Sequence, residues 1–467
     1  MILGAVFERF MNESPLSVMS RATIEHALSA SALDALFARV AERGYTRELL
    51  FSTVVELMSA VVCGKAHHVQ SAYQQMADRI PVSLKSVYEK LQHLEPAVSA
   101  ALVRHVADRC HELIQQLGGE RSPVLSGRAV RVLDGNHLGA TQKRLRVTRG
   151  RTAGPLPGLV LAVLDPAQMR ITDLIPCEDG HTQERALLDQ VVPLVQPDQV
   201  WVADRNFCTA EFVSRIDQRG AFFAIRRHGN TTLDPAGEWT PDVRTATGWV
   251  SERPVWVCVG GEPVLRVRCV RVRLDHPTGD GDAEIEILTN LPEDEADAVV
   301  VAVVYRGRWA IEGAFHELTV ALRCEVNTLG YPKAALFGFA VAVVGYNVLA
   351  VLKAAMRAVH GADTVQKDVS GYYVALEWAT VYPGMMIALP PAEWVVFGTL
   401  SADQLAPQLR DWAAKINLKK VQKAPPRKPT KQKPPRINDN SPHVSTARLL
   451  EDERKSSRTK IKARKQE

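Results

Sequence analysis

Three acidic residues, far apart in the chain, stand where carboxylates can meet. Asp134 closes the run AVRVLD and Asp204 closes VWVAD, two short β-branched stretches. Carboxylates at the carboxyl ends of neighbouring strands converge at one sheet edge, where α/β proteins build sites. The plain alternative for either residue is a strand-end aspartate that caps a turn. Glu312 lies in YRGRWAIEGAFHEL, and Tyr305, Arg308, Glu312, Thr319 and Arg323 follow one another at intervals of 3, 4, 7 and 4 residues. At about 100° per residue, all five share one helix face. A face with a phenol, two guanidiniums and a carboxylate is no core stripe, although a solvated face with an Arg–Glu pair one turn apart would look the same.

Three carboxylates, with the oxygens of a phosphodiester, can hold two divalent cations roughly 3.5–4 Å apart. Magnesium (or manganese) takes hard oxygen ligands and keeps waters, so no His or Cys cage is expected. The chemistry would be in-line displacement at phosphorus. One ion would activate water or a 3′-hydroxyl, the other would stabilise the leaving oxygen, and nearby arginines would clamp the phosphate.

The elements needed to position these residues are legible. AVRVLD, GLVLAVLD and RITDLIPC read as three successive strands, followed by a helix from His181 to Val195, the strand 200–204, a helix from Ala210 to Arg219 and the strand 221–227. That alternation predicts a mixed α/β sheet covered by helices. Residues 228–295 break the rhythm with turn-rich runs (PVWVCV, PVLRVRCVRVRL, AEIEILTN) that predict an inserted antiparallel β-subdomain. Helices resume from 296 to 418. Residues 1–120 are helical by their three- and four-residue apolar spacing. Within them RIPVSLKSVYEKLQHL reads either as a helix-turn-helix, with Ser83 as a cap and Ser86, Lys90 and Gln92 exposed to DNA, or as an ordinary hairpin. The division is therefore a helical domain (1–120), a core in two parts (121–227 and 296–418), an insertion (228–295) and a tail (419–467).

VLDGN, WVADRNF and YRGRWAIE together resemble the three catalytic blocks of DDE transposases of the insertion-sequence-4 family. The resemblance spans roughly 129–350, and Glu312 lies 108 positions after Asp204, which leaves room for that family's β-rich insertion. It implies a ribonuclease-H-like core, metal ligation by Asp134, Asp204 and Glu312, and cut-and-paste movement of DNA bounded by inverted repeats. It also implies a homodimer on double-stranded DNA, because two ends are processed together. Tyr305 and Arg308 match the Tyr and Arg of the family's Y-R-E-K helix motif, whose members contact transposon-end phosphates. The Lys position falls on Thr319, and Arg323 one turn on is the candidate substitute. A same-fold nuclease without joining activity and a catalytically idle DNA-binding descendant are the alternatives. Several family members stack a flipped base on an aromatic of the insertion, for which Trp239, Trp249 and Trp256 are candidates; Trp256, in PVWVCV, reads better as an anchor of the small sheet.

Around this centre, KRLRVTRGR (143–151) is a basic loop after the first catalytic strand, and Lys143, Arg144 and Arg146 are expected to contact DNA. Glu178, Asp179 and His181 read as a helix start, and His137 as a local hydrogen-bonding residue. The tail carries 16 Lys/Arg against 5 Asp/Glu, whereas residues 1–418 carry 41 against 47, so a basic, Pro/Lys-rich segment expected to be disordered hangs from a mildly acidic body. That asymmetry suggests a polyanion partner. Seven cysteines without a C-x-x-C pair argue against a disulfide framework or a four-cysteine zinc site, and suggest a reducing bacterial cytoplasm. Cys63, His67 and His68 lack a fourth ligand nearby. No signal peptide is read in MILGAVFERFMNESP. The uncharged stretch Ala334–Leu352 is long enough to span a bilayer, but its Gly, Ala, Tyr and Asn content favours a buried core helix.

Overall fold

A computed structural model describes residues 4–42, 48–278, 281–424 and 442–464; side chains at 378, 379, 382, 383 and beyond 459 lie outside that description. The strands are β1 (Val130–His137), β2 (Gly154–Leu156), β3 (Leu159–Asp165), β4 (Arg170–Cys177), β5 (Val200–Ala203), β6 (Phe222–Arg226), β7 (Leu233–Pro235), β8 (Val243–Thr245), β9 (Gly248–Val259), β10 (Glu262–Leu274), β11 (Glu284–Thr289) and β12 (His443–Ser445). β3 is buried along its whole length, as a strand covered on both faces must be. It runs antiparallel to both β1 and β4, while β1, β5 and β6 are mutually parallel.

The insertion does not form a separate subdomain. Its strand β11 pairs with β6 (Leu288↔Ile225), so the order β4-β3-β1-β5-β6-β11-β10-β9-β7, with β8 on β9, makes one ten-stranded sheet. Asn290 secures the junction: its Oδ1 accepts from Phe223 N at 2.9 Å, and its Nδ2 donates to Asp217 and to the Ala221 carbonyl.

The helices are α1 (Ala5–Glu13), α2 (Pro15–Ala27), α3 (Ala30–Val40), α4 (Phe51–Val62), α5 (Val69–Gln75), α6 (Leu84–His93), α7 (Pro96–Leu117), α8 (Leu188–Val191), α9 (Ala210–Gln218), α10 (Ala298–Arg306), α11 (Trp309–Ala321), α12 (Pro332–His360), α13 (Ala362–Asp368), α14 (Gly371–Ala388), α15 (Val395–Thr399), α16 (Ala402–Ala414) and α17 (Thr446–Arg464). Strand alternation divides the sheet's side chains between two layers. Leu133, Trp201 and Phe223 pack with α9 on one face, and Val132, Val202 and Ala224 face the large helical layer. The expected helix at 181–195 is only the short α8 flanked by 3-10 turns, since Pro193 has no N–H to continue it.

At the centre of the helical layer is α12. Its 18-residue apolar window is 100% buried within the protein, so the stretch flagged by length is covered by other helices. Asn347 of α12 accepts from Ile171 N and donates to Ile171 O, both at 2.9 Å, which satisfies backbone groups of the sheet-edge strand β4. Helices α2, α4, α6 and α7 pack against α12, and α7 also lies on β4. Residues 1–120 thus share one hydrophobic core with the rest instead of forming a self-contained domain.

Two other expectations change. Ser83 does cap α6, accepting from Ser86 N at 3.2 Å. The face assigned to DNA is nonetheless half-buried, with the Lys90 ammonium 4.5 Å from the centre of the Phe37 ring. In the tail, β12 and α17 are folded: β12 pairs in parallel with β2, beside the basic loop. The Pro/Lys-rich part, 425–441, lies outside the described residues.

Candidate active site

The register of two parallel strands sets the first pair of carboxylates. Val132 pairs with Val202 and Leu133 with Ala203, so the next residues, Asp134 and Asp204, sit side by side at the strand ends. Neighbouring strands lie about 4.8 Å apart, which keeps two like charges close unless something neutralises them. Asp134 Oδ1 accepts from its own neighbour, Gly135 N, at 2.9 Å. Asp204 Oδ1 accepts from Asn206 N at 2.7 Å, turning the chain after β5.

Asn206 also donates to Glu184 Oε2 at 3.3 Å, which brings in a carboxylate the sequence reading missed. Glu184 rests on the backbone of Gly135: a Cβ there would lie 1.9 Å from Glu184 Oε1, so only glycine allows the approach. Burial pushes the Asp134 carboxyl up to about 7, and Asp204 and Glu184 push it the same way against the pull of Arg308. Burial also raises Glu184, with Asp204 adding to it. No motif marked Glu184; its only sequence signal is its place in the segment that follows the third strand.

The third carboxylate arrives from α11, which packs on β1. The expected continuous helix is broken at Gly307–Arg308, with Tyr305 in the last turn of α10 and Arg308 capping α11. The break places the Arg308 guanidinium between two acids: Nη1 donates to Asp134 Oδ2 at 3.0 Å and Nη2 to Glu312 Oε1 at 2.7 Å. Tyr305, buried beneath, has both Arg308 and Asp204 as electrostatic neighbours. Asp134, Asp204, Tyr305, Arg308 and Glu312 are thereby brought together. Among the described residues, no group of three or more His, Cys, Asp or Glu closes to the spacing of a metal cage.

Thr319 and Arg323 do not extend this face. The Thr319 hydroxyl turns back onto the Phe315 carbonyl at 2.9 Å. α11 ends at Ala321, and the chain turns inward to bury Leu322 against Gly345 of α12. Arg323 N donates to Val62 O at 2.9 Å, and its guanidinium faces Ala66 O and His67, so it stitches the seam with the N-terminal helices.

Comparison with known families bears directly on this arrangement. Residues 126–337 match the family model described as the transposase DDE domain. The matched region begins just before β1 and ends within α12, so it includes all three carboxylates and the insertion. Among solved structures, the chain is similar to a piggyBac transposase in a synaptic complex with hairpin DNA. That likeness has 13% identity and a TM-score of 0.39, covering 93% of this chain and 89% of that one. No curated protein matches.

Within and beyond residues 126–337 the remaining candidates fall at different distances from the carboxylates. Asp179 accepts from Arg448 Nε at 2.7 Å and so faces the tail. His137 shares a hydrogen bond with the Gly180 carbonyl at 3.1 Å, a local contact. In the basic loop, Lys143 donates to the Arg151 and Thr152 carbonyls, Arg144 to Gln142, and Arg146 pairs with Glu453 of α17. The anchor expected at Trp256 is exposed instead (37%), because β9 alternation turns Val255 and Val257 inward. Trp239 is held between Arg253 and Arg271, 4.5 and 3.9 Å from the ring centre, and Trp249 is exposed. Trp309, also missed from sequence, is 57% exposed beside Arg308.

Proposed function

We propose that the chain is a cut-and-paste DNA transposase of the insertion-sequence-4 type, with a ribonuclease-H-like core. In this reading it cleaves at inverted-repeat ends and joins the freed 3′-hydroxyl to target DNA, acting as a homodimer on DNA in a bacterial cytoplasm. One observation carries it: the parallel register that sets Asp134 beside Asp204, with Arg308 gripping both Asp134 and Glu312. The match to the transposase DDE domain over the same residues supports it, as does the strand order β4-β3-β1-β5-β6 with its antiparallel first three strands.

The donor set suits hard divalent cations, because every candidate ligand is a carboxylate oxygen. A positive charge already stands there: the Arg308 guanidinium lies between Asp134 and Glu312 and donates to both, while its buried Nε has no acceptor among the described residues, which suits an incoming phosphate oxygen. Two magnesium or manganese ions would supply activation of the attacking oxygen and stabilisation of the leaving one. Asp134, Asp204 and Glu312 would hold them. Arg308, relieved of its carboxylates, has a planar fork suited to bidentate contact with the scissile phosphate. Tyr305, buried beside Arg308, would help hold that fork in place. In the cutting step, a water oxygen bonds to phosphorus, the bond to the 3′ oxygen breaks, and that oxygen leaves as the 3′-hydroxyl. In joining, this hydroxyl takes the place of water and a target-strand 3′ oxygen leaves.

Asp204→Asn keeps the size and the capping oxygen but removes the charge. Cleavage of an end-containing duplex should be abolished while binding, measured by mobility shift, persists. A variant that cuts at the wild-type rate would end the assignment.

A further inference from the structure

A groove of about 490 Å³ runs between the basic loop and the tail helix. Leu145, Arg146 and Tyr331 form one wall, and Leu450, Arg454 and Arg458 of α17 form the other. The three α17 positions recur every four residues, so they present one face of the helix to the loop.

The tail is seated on the loop by several independent contacts. β12 pairs with β2, Arg448 pairs with Asp179 at 2.7 Å, Glu453 pairs with Arg146, and Ser445 and Thr446 are buried. The charge left over is one-sided. Glu453 is committed to Arg146, whereas Arg454 and Arg458 are exposed and have no ion-pair partner among the described residues. Behind them the loop contributes Lys143, Arg144, Arg149 and Arg151, each held by an oxygen of the loop itself or of Gln142 beside it, so its positive charge is fixed in place.

The groove also lies at the site's end of the sheet. His137, three residues past Asp134 on β1, bonds to Gly180, and the adjacent Asp179 is the anchor of Arg448. Twelve residues separate Asp134 from Arg146, a span that cannot exceed roughly 40 Å, little more than one turn of B-DNA.

We propose that this groove seats the phosphate backbone of the duplex on which the carboxylate site acts, with Arg454 and Arg458 each neutralising one phosphate. The direction of the duplex rests on the transposase reading; the phosphate contact does not. Binding of a labelled random-sequence duplex, measured by fluorescence anisotropy in EDTA across a salt series, tests it without any cleavage. Arg454→Ala combined with Arg458→Ala should lower the steepness of log affinity against log salt by about 1.8, at roughly 0.9 per phosphate. Arg9→Ala with Lys367→Ala removes the same charge from exposed sites outside the groove and should leave the slope unchanged. Because both groove arginines are exposed and form no ion pair among the described residues, the double variant should melt as the wild type does.

An unchanged slope in the groove variant would overturn the proposal and leave an acidic protein segment as the groove's partner. An equal loss in the control would overturn it too, by reducing the effect to net charge. Neither result bears on Asp204→Asn cleavage, so the groove and the active-site assignment can fail separately.

Discussion

Two regions of the ten-stranded sheet, its extension and the ends of β1 and β5, treat their acids in opposite ways. In the extension built by residues 228–295, acids are matched with arginines: Glu252 with Arg268 at 2.6 Å, Glu286 with Arg227 at 2.5 Å, Asp275 with Arg244 and Asp282 with Arg226 at 2.7 Å. In the other region, Asp134, Asp204, Glu184 and Glu312 crowd the strand ends, and Arg308 alone pairs with two of them. Paired acids hold the extension to the core; under-neutralised acids cost stability, and such a cost is characteristic of sites that bind a charged group. The same residue type is structural at one end of the sheet and, in the proposed reading, chemical at the other, according to how many cations surround it.

Charge removal should therefore have opposite consequences in the two regions. Asp134→Asn should lower cleavage by on the order of 10³-fold, a loss typical of removing one electrostatic contributor to a transition state. The same change should raise stability by about 1–2 kcal/mol in chemical denaturation, since the folded environment opposes ionisation at this position. Glu286→Gln should do the reverse, leaving cleavage within about twofold and lowering stability by about 1–3 kcal/mol through the unpaired Arg227. If both variants lose activity alike and neither gains stability, the contrast between the regions is false.

Arg268→Leu sharpens the structural side. Arg268 bonds Glu252 twice and donates to the Leu291 and Ala296 carbonyls at 2.8 Å, tying β9 and β10 to the chain entering α10. Removing it strands the buried Glu252 carboxylate and should cost about 3–5 kcal/mol in a urea titration.

The helical layer offers a third, smaller effect. Burial, with Arg109 adding to it, lowers the pKa of His26 to about 4, its Nδ1–H donating to the Leu400 carbonyl. Below pH 6.5 the unfolded chain takes up a proton that the folded chain refuses, so stability should fall by up to about 3 kcal/mol between pH 6.5 and 4. His26→Gln should flatten that slope in pH-dependent melting; an unchanged slope would place the acid sensitivity elsewhere.

Much of this contrast was legible before any coordinates. The β-branched runs predicted β1, β3, β4, β5 and β6, and strand-end logic singled out Asp134 and Asp204, because local periodicity and end position are written in the sequence. Non-local pairing was not. That β11 would join β6 and fuse the insertion to the core depends on Asn290 bridging residues some 70 positions away. The helix face carrying Glu312 was projected too far: Gly307 breaks its start, and the need to bury Leu322 ends it before Arg323. Glu184 escaped notice because its closeness to Asp134 depends on Gly135, the next residue of β1, some fifty positions away in the chain. Composition suggested a disordered tail, yet β12 and α17 fold where β2 offers a strand edge and Asp179 and Arg146 offer charges.

The most direct test of metal-supported DNA cutting by these carboxylates is a change of ligand hardness at Asp204. Asp204→Cys replaces a hard oxygen with a softer sulfur, which tolerates manganese better than magnesium. Cleavage of an end-containing duplex should be lost in magnesium and restored in manganese, while the wild type cuts in both. Undiminished cleavage by the variant in magnesium, or cutting by the wild type in EDTA, would contradict the account.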